Sequence, residues 1–228
     1  MLVAVDIGNT NIVLGFLDGD TIAGTYRITT KANHTSDEYG LFLTEFLRMS
    51  GFQPSDVDDV IICSVVPKVM HSFRSSIVKF LDIDPMVVGP GIKTGMNVRV
   101  DDPKSLGADI LADCAGAYYE YGGPVLVADF GTATTFNVVD ENKVFRGGVI
   151  CPGLSTGLRA LGERCAQLPQ VHLSSPKSAI GVDTEKCMLS GSVLGTAVLL
   201  DGITQRIEEE LGRPVTLVVT GGLAKYVI

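Results

Sequence analysis

The 228-residue chain contains no run of lysine or arginine anywhere, and its net charge is -8. Gripping a nucleic-acid backbone without regard to sequence needs clustered cations, so a nucleic-acid partner is not expected. No stretch approaches 18 uncharged apolar residues, so no membrane span is expected either. The first apolar run is interrupted by Asp6 and has no basic segment before it, which argues against a secretory signal. The five cysteines (Cys63, Cys114, Cys151, Cys165 and Cys187) lack Cys-x-x-Cys spacing, and the three histidines lie far apart without ligand spacing. The cysteines read as reduced, mostly buried thiols of a cytoplasmic protein; Cys151, beside a glycine-rich motif, could be reactive but reads better as a small buried hydrophobe. With 46% hydrophobic and 19% charged residues, disorder is excluded.

What the sequence does contain, it contains twice. Leu2-Val3-Ala4-Val5-Asp6-Ile7-Gly8-Asn9-Thr10-Asn11 reappears in outline as Leu126-Val127-Ala128-Asp129-Phe130-Gly131-Thr132-Ala133-Thr134. Laying Asp6 on Asp129 brings Gly8 onto Gly131, Asn9 onto Thr132 and Asn11 onto Thr134. Each copy continues through a second apolar run, a polar turn (Asp18-Gly19-Asp20; Glu141-Asn142-Lys143) and a third run. A repeat of this kind marks duplicated architecture.

Periodicity predicts strands at 2–7, 12–17 and 21–28, a helix over 36–49, a strand at 60–63, a helix over 66–81 opened by Pro67, and a strand at 86–88. The Gly/Pro-rich segment Gly89-Pro90-Gly91-Ile92-Lys93-Thr94-Gly95 then leads into a helix predicted from Pro103 to Tyr121. Strands at 124–129, 134–140 and 143–150, helices over 154–166 and 184–211, and a strand at 215–219 follow. The pattern reads as α/β, a duplicated ribonuclease-H-like fold of two β-β-β-α-β-α-β halves, 1–102 and 103–228, around a nucleotide cleft. Ligands of open α/β sheets sit beyond the carboxyl ends of strands, where the repeated motifs fall.

Each motif has a chemical and a plain reading. Asp6-Ile7-Gly8-Asn9-Thr10-Asn11 can aim amides and polar side chains at phosphates while its carboxylate holds Mg2+ through water; otherwise Asp6 caps its own turn. The repetition at Asp129-Phe130-Gly131-Thr132 favours the phosphate grip. Thr220-Gly221-Gly222 offers bare backbone to a ring or ribose, or is a simple strand-to-helix turn. On the helix after Pro103, Leu106, Ile110, Cys114 and Ala117 form an apolar stripe, with Asp109 and Asp113 on or beside it. A carboxylate there is costly unless paired or working, so Asp109 is a candidate general base. Gly147–Gly153 reads best as a helix entry, and Asp183 or Thr184 as the N-cap of the long helix. Gly191 and Gly195 point to close helix packing, within the chain or across a dimer.

Taken in order, Asp6–Asn11, Pro90–Gly95, Gly107-Ala108-Asp109, Asp129–Thr134 and Thr220–Ala224 resemble the type III pantothenate kinase family over essentially the whole chain. The resemblance implies the acetate and sugar kinase/actin superfamily, and ATP-dependent phosphorylation of pantothenate to 4'-phosphopantothenate, the first step of coenzyme A biosynthesis. It also implies a homodimer that uses Mg2+ and a monovalent cation, potassium or ammonium. By position it assigns Asp6, Ile7, Gly8, Asn9, Thr10, Asn11, Ile12 and Val13, with Thr132, Gly221 and Gly222, to ATP. Asp109 is the implied general base, and Asp129 the implied ligand of the monovalent cation. Gly107, Ala108, Asp109, Ile110 and Thr184 are the implied pantothenate pocket.

Two positions depart from the family pattern. Ile110 stands where an arginine is usual, removing a cation expected near the substrate, and Asp113 stands where asparagine is common. The family's chains also continue with further helix beyond the segment after Gly222. A non-catalytic accessory or regulatory paralogue that binds nucleotide without turnover is the alternative to the kinase. A two-metal nuclease built on Asp6 and Asp129 is a weaker third reading.

Overall fold

The computed structural model describes residues 1–89 and 92–228; Pro90 and Gly91, within the Pro90–Gly95 motif, lie outside them. The chain divides into two compact units. Met1–Lys93 with Lys104–Ala112 forms the first, and Thr94–Pro103 with Asp113–Ile228 the second.

The first unit follows the expected order: β1 (Leu2–Ile7), β2 (Asn11–Asp18), β3 (Thr21–Thr29), α1 (Ser36–Met49), β4 (Asp59–Ser64), α2 (Pro67–Leu81) and β5 (Met86–Val87). The sheet runs β3-β2-β1-β4-β5, with β1, β2 and β3 antiparallel and β1, β4 and β5 parallel. Strict alternation sends Val3, Val5, Ile7 and Ile12, Leu14, Phe16 to one face, all nearly or fully buried. Tyr39, Leu43 and Leu47 of α1 and Val69, Phe73 and Ile77 of α2 recur every four residues and close over that face. Each such side chain contributes about 1.5–3 kcal/mol by leaving water. A capping box between Thr35 and Glu38 sets the start of α1.

In the second unit, β6 (Asn97–Val98) is a two-residue strand that the sequence did not announce. It is followed by α3 (Ala108–Tyr121, whose first turn groups with the first unit), β7 (Val125–Phe130), β8 (Ala133–Val139), β9 (Val144–Pro152), α4 (Leu154–Arg164), α5 (Thr184–Leu211) and β10 (Thr216–Thr220). The sheet runs β10-β7-β8-β9-β6, and β7 pairs with β10 in parallel as β1 pairs with β4. The shared third-second-first-fourth order is the duplication in three dimensions. The second copy nevertheless departs from β-β-β-α-β-α-β: among the described residues, no strand separates α4 from α5, and Ala224–Tyr226 after β10 is a single 3-10 turn.

The helix predicted from Pro103 begins at Ala108, and Pro103–Ser105 is a separate 3-10 turn. Gly107 therefore precedes the helix, and Asp109 lies in its first turn. Cys114 and Ala117 are buried as the stripe requires, while Leu106 and Ile110 are half-buried. Desolvation, helped by the charge of Asp113, pushes the Cys114 thiol up to about 12, making it a packing residue. The thiols are less buried than expected: Cys63 and Cys114 are enclosed, Cys151 is half-buried, and Cys165 and Cys187 are exposed.

Among the described helices, α5 alone is long and apolar enough by composition to cross a membrane. One of its faces nonetheless belongs to the core, through Val193 and Leu200 with Leu126, Phe130 and Phe136. Its Asp183 cap accepts the Lys186 amide at 2.8 Å, and it ends at Gly212 in the left-handed region before Arg213-Pro214.

Candidate active site

Asp6 and Asp129 end matching central strands, and the turn after each is built differently from what the sequence alignment implies. Ile7 pairs with Ile12 across the first hairpin, whereas Phe130 pairs with Thr134 across the second. The first loop is thus one residue longer. Gly8 still matches Gly131, but beyond the turn the equivalence slips by one: Asn11 matches Ala133, and Thr134 occupies the place of Ile12. Because side chains alternate, the slip moves Thr134 from the expected ligand face to the core face. It is 1% exposed, and among the described residues its Oγ1 has no hydrogen-bond partner.

In the first unit the Gly8 amide donates to the Asn11 carbonyl at 3.0 Å and closes the turn. Asn9 and Thr10 at its tip are exposed, and Asn11 and Val13 are half-buried. Ile7 and Ile12 are fully buried, so any contact they make with a nucleotide runs through backbone. Asp109 belongs to the same unit. Its Oδ1 accepts the Ile110 amide at 2.8 Å, which fixes the carboxylate against the first turn of α3. Asp6 is exposed as a residue, yet the partial desolvation of its carboxyl raises it above the usual range. The charge of Asp109 raises it further. Asp6 therefore senses the charge of Asp109 within the same unit. Gly107, Ala108 and Ile110 beside them are half-buried.

The second unit gathers Asp129, Gly131, Thr132, Gly153 and Gly221. The Gly131 amide donates to the Ala133 carbonyl at 3.0 Å. Gly221 has φ +96°, and a Cβ there would lie 2.3 Å from Asp129 Oδ1 and 2.5 Å from the Phe130 nitrogen. Only glycine lets this loop lie against the aspartate. Gly153, the cap of α4, is equally constrained: a Cβ would meet the Thr132 carbonyl at 2.4 Å and that of Gly131 at 2.5 Å. The sequence offered Gly153 only as a helix entry; its role as the floor under the Gly131-Thr132 turn has no local signal. Gly222 is exposed after β10, and Thr184 occupies the exposed first position of α5 beside its Asp183 cap.

Among the described residues no group of three or more His, Cys, Asp or Glu side chains forms a metal cluster. The carboxylates at the two turns are those of Asp6 and Asp129; oxygen donors of this kind suit hard cations that keep most of their water.

Comparison with known proteins identifies the lineage. A relative from Bifidobacterium longum, named type III pantothenate kinase, is 72% identical over 99% of this chain and 88% of its own length. One from Agathobacter rectalis with the same name is 44% identical over the whole chain. Among solved structures, a Baf family protein from Campylobacter jejuni covers 99% of this chain and 85% of its own, at TM-score 0.57 and 18% identity. A ROK hexokinase from Thermus thermophilus covers 100% and 83%, at TM-score 0.50 and 14% identity, so the fold is that of the actin-like ATPases. The model of type III pantothenate kinases matches residues 2–206, and the chain belongs to that family.

Proposed function

We propose that this chain phosphorylates pantothenate from ATP, giving 4'-phosphopantothenate and ADP at the entry to coenzyme A biosynthesis. The carrying observation is the kinase family to which the chain belongs, with Asp6 and Asp109 in one unit and the charge of Asp109 felt at Asp6. Asp109 takes the proton from the primary hydroxyl of pantothenate. The hydroxyl oxygen bonds to the γ-phosphorus as the bond to the β-phosphate oxygen breaks, and ADP leaves. The Ile110 amide holds Oδ1, which leaves the carboxylate oriented with its second oxygen for that proton. The turn from Asp6 to Val13 in the first unit binds the phosphates, and the family resemblance assigns Thr132, Gly221 and Gly222 of the second unit to ATP. Gly107, Ala108 and Ile110, beside Asp109 in the first unit, contact pantothenate, and the family resemblance also assigns Thr184 of the second unit to that substrate.

Asp6 would hold Mg2+ through water and Asp129 a monovalent cation, potassium or ammonium. These ions offset phosphate charge when bound. The fit rests on Asp6, a carboxylate open to solvent whose carboxyl is raised first by desolvation and then by the charge of Asp109, a cost that a bound cation would relieve. The non-catalytic alternative has no observation in its favour. The five free thiols suit a cytoplasmic enzyme.

The test is a coupled ADP-release assay with pantothenate and MgATP, with and without potassium. Turnover that requires pantothenate and rises with potassium is expected; nucleotide binding without turnover would overturn the reading.

The homodimer is supported by α5. A Cβ at Gly191 or Gly195 would meet nothing within 4 Å, so packing within the chain does not explain either glycine. Both lie on a face with exposed Cys187, Leu194 and Val198, which is 69% exposed. A second copy of this helix would cover that stripe. Gly195→Arg improves helix propensity, by up to about 1 kcal/mol, while placing a bulky cation in the stripe. The variant is expected to stay folded and run at half the wild-type mass in light scattering. An unchanged mass would remove α5 from the interface.

A further inference from the structure

Two threonines outside every motif above hold the two repeated turns. In the first unit Thr30, one residue beyond β3, donates Oγ1 to the Gly8 carbonyl at 2.6 Å and its amide to the Thr10 carbonyl at 3.0 Å. In the second unit Thr156, in the first turn of α4, donates Oγ1 to the Thr132 carbonyl at 2.7 Å. One threonine comes from a strand end and the other from a helix start. They perform the same task, placing a hydroxyl on a carbonyl of the turn that follows the strand's aspartate.

The consequence follows from peptide geometry. In a planar trans peptide the carbonyl and the next amide point in opposite directions. Tying the Gly8 carbonyl to Thr30 therefore turns the Asn9 N–H to the side away from Thr30. The Gly8 amide is already engaged by the Asn11 carbonyl, so Asn9 supplies the next amide of the turn. The Thr10 carbonyl, tied to the same residue, is kept out of the way of an anion. In the second turn Thr156 fixes the peptide of Thr132, whose carbonyl also sits on the bare backbone of Gly153.

We propose that Thr30 and Thr156 are positioning residues for phosphoryl transfer, each orienting a turn so that its polar groups, the Asn9 amide in the first and Thr132 in the second, meet the nucleotide. The proposal rests on the kinase reading above. Neither threonine touches the nucleotide; each acts through a carbonyl of the turn that does.

Thr30→Val keeps the shape and removes the hydroxyl, while Thr30→Ser keeps the hydroxyl and removes the methyl. Titration with a non-hydrolysable ATP analogue and steady-state kinetics read the result. Thr30→Val is expected to weaken analogue binding and raise the KM for ATP about tenfold, the scale of one positioned hydrogen bond. The KM for pantothenate should stay within about twofold. Thr30→Ser is expected to restore the ATP parameters, and Thr156→Val and Thr156→Ser to repeat the contrast.

Unchanged ATP parameters in Thr30→Val would overturn the proposal. So would equal impairment of the valine and serine variants, because the methyl group rather than the hydroxyl would then matter. If Thr30→Val does not fold, the Thr156 pair decides by the same criteria. A wild-type protein that fails to bind the analogue would defeat the kinase reading itself, a result distinct from either of these.

Discussion

Asp109→Asn is expected to lower kcat by about 10²–10⁴-fold, the usual contribution of a positioned general base, while the KM for ATP changes little. The asymmetry follows from where the carboxylate stands. Its Oδ1 accepts the Ile110 amide, a bond that the amide oxygen of asparagine can also accept, so the first turn of α3 keeps its geometry. What disappears is a group able to receive a proton, and with it the charge that Asp6 feels from Asp109. Removing a like charge near Asp6 favours the fold, so the thermal midpoint of the variant should match or exceed that of wild type. The pairing of a large loss of rate with no loss of stability separates a catalytic role from a structural one. A kcat within about threefold of wild type would remove Asp109 from the role of base.

The sequence was most legible where one physical signal dominated. Alternation in β2, with Ile12, Leu14 and Phe16 inside, and four-residue spacing in α1 and α2 are direct prints of burial, and the first unit follows them closely. The duplicated Asp-x-Gly motif was legible for the same reason, because a strand that must end on a carboxylate leaves a short fixed pattern. The slip after the turn was not: it depends on one loop residue more or less, and both registers place acceptable residues in line until Thr134 is seen in the core. The start of α3 was masked by Pro103, which suits the first position of a helix and here opens a separate 3-10 turn. The long helix α5 carries core residues on one face and an exposed apolar stripe on another, so its composition alone cannot say which face meets what. Least legible were Thr30, Thr156 and Gly153, whose work consists of hydroxyl or backbone contacts to carbonyls twenty or more positions away in sequence.

Asp6→Asn is expected to trade activity for stability. A carboxyl whose folded pKa lies above its unfolded value binds its proton more tightly when folded. The native state is then favoured at low pH, and that advantage is lost as pH rises through the folded pKa. Asp6 is such a group, raised first by burial and then by the charge of Asp109. At neutral pH the ligand-free protein therefore carries an ionised Asp6 at a cost, which asparagine removes. The variant should melt above wild type at pH 7, and the gap should close as pH falls towards the ordinary carboxylate value of 3.8. Activity should move the other way, falling by about 10²–10³-fold with the loss of the charge placed for Mg2+ and phosphate. MgATP should also raise the melting temperature of wild type far more than that of the variant, since only the form that binds ligand is stabilised by it. A variant that melts below wild type at pH 7, or that keeps its full response to MgATP, would show that Asp6 supports the turn as a structural cap instead of serving the nucleotide.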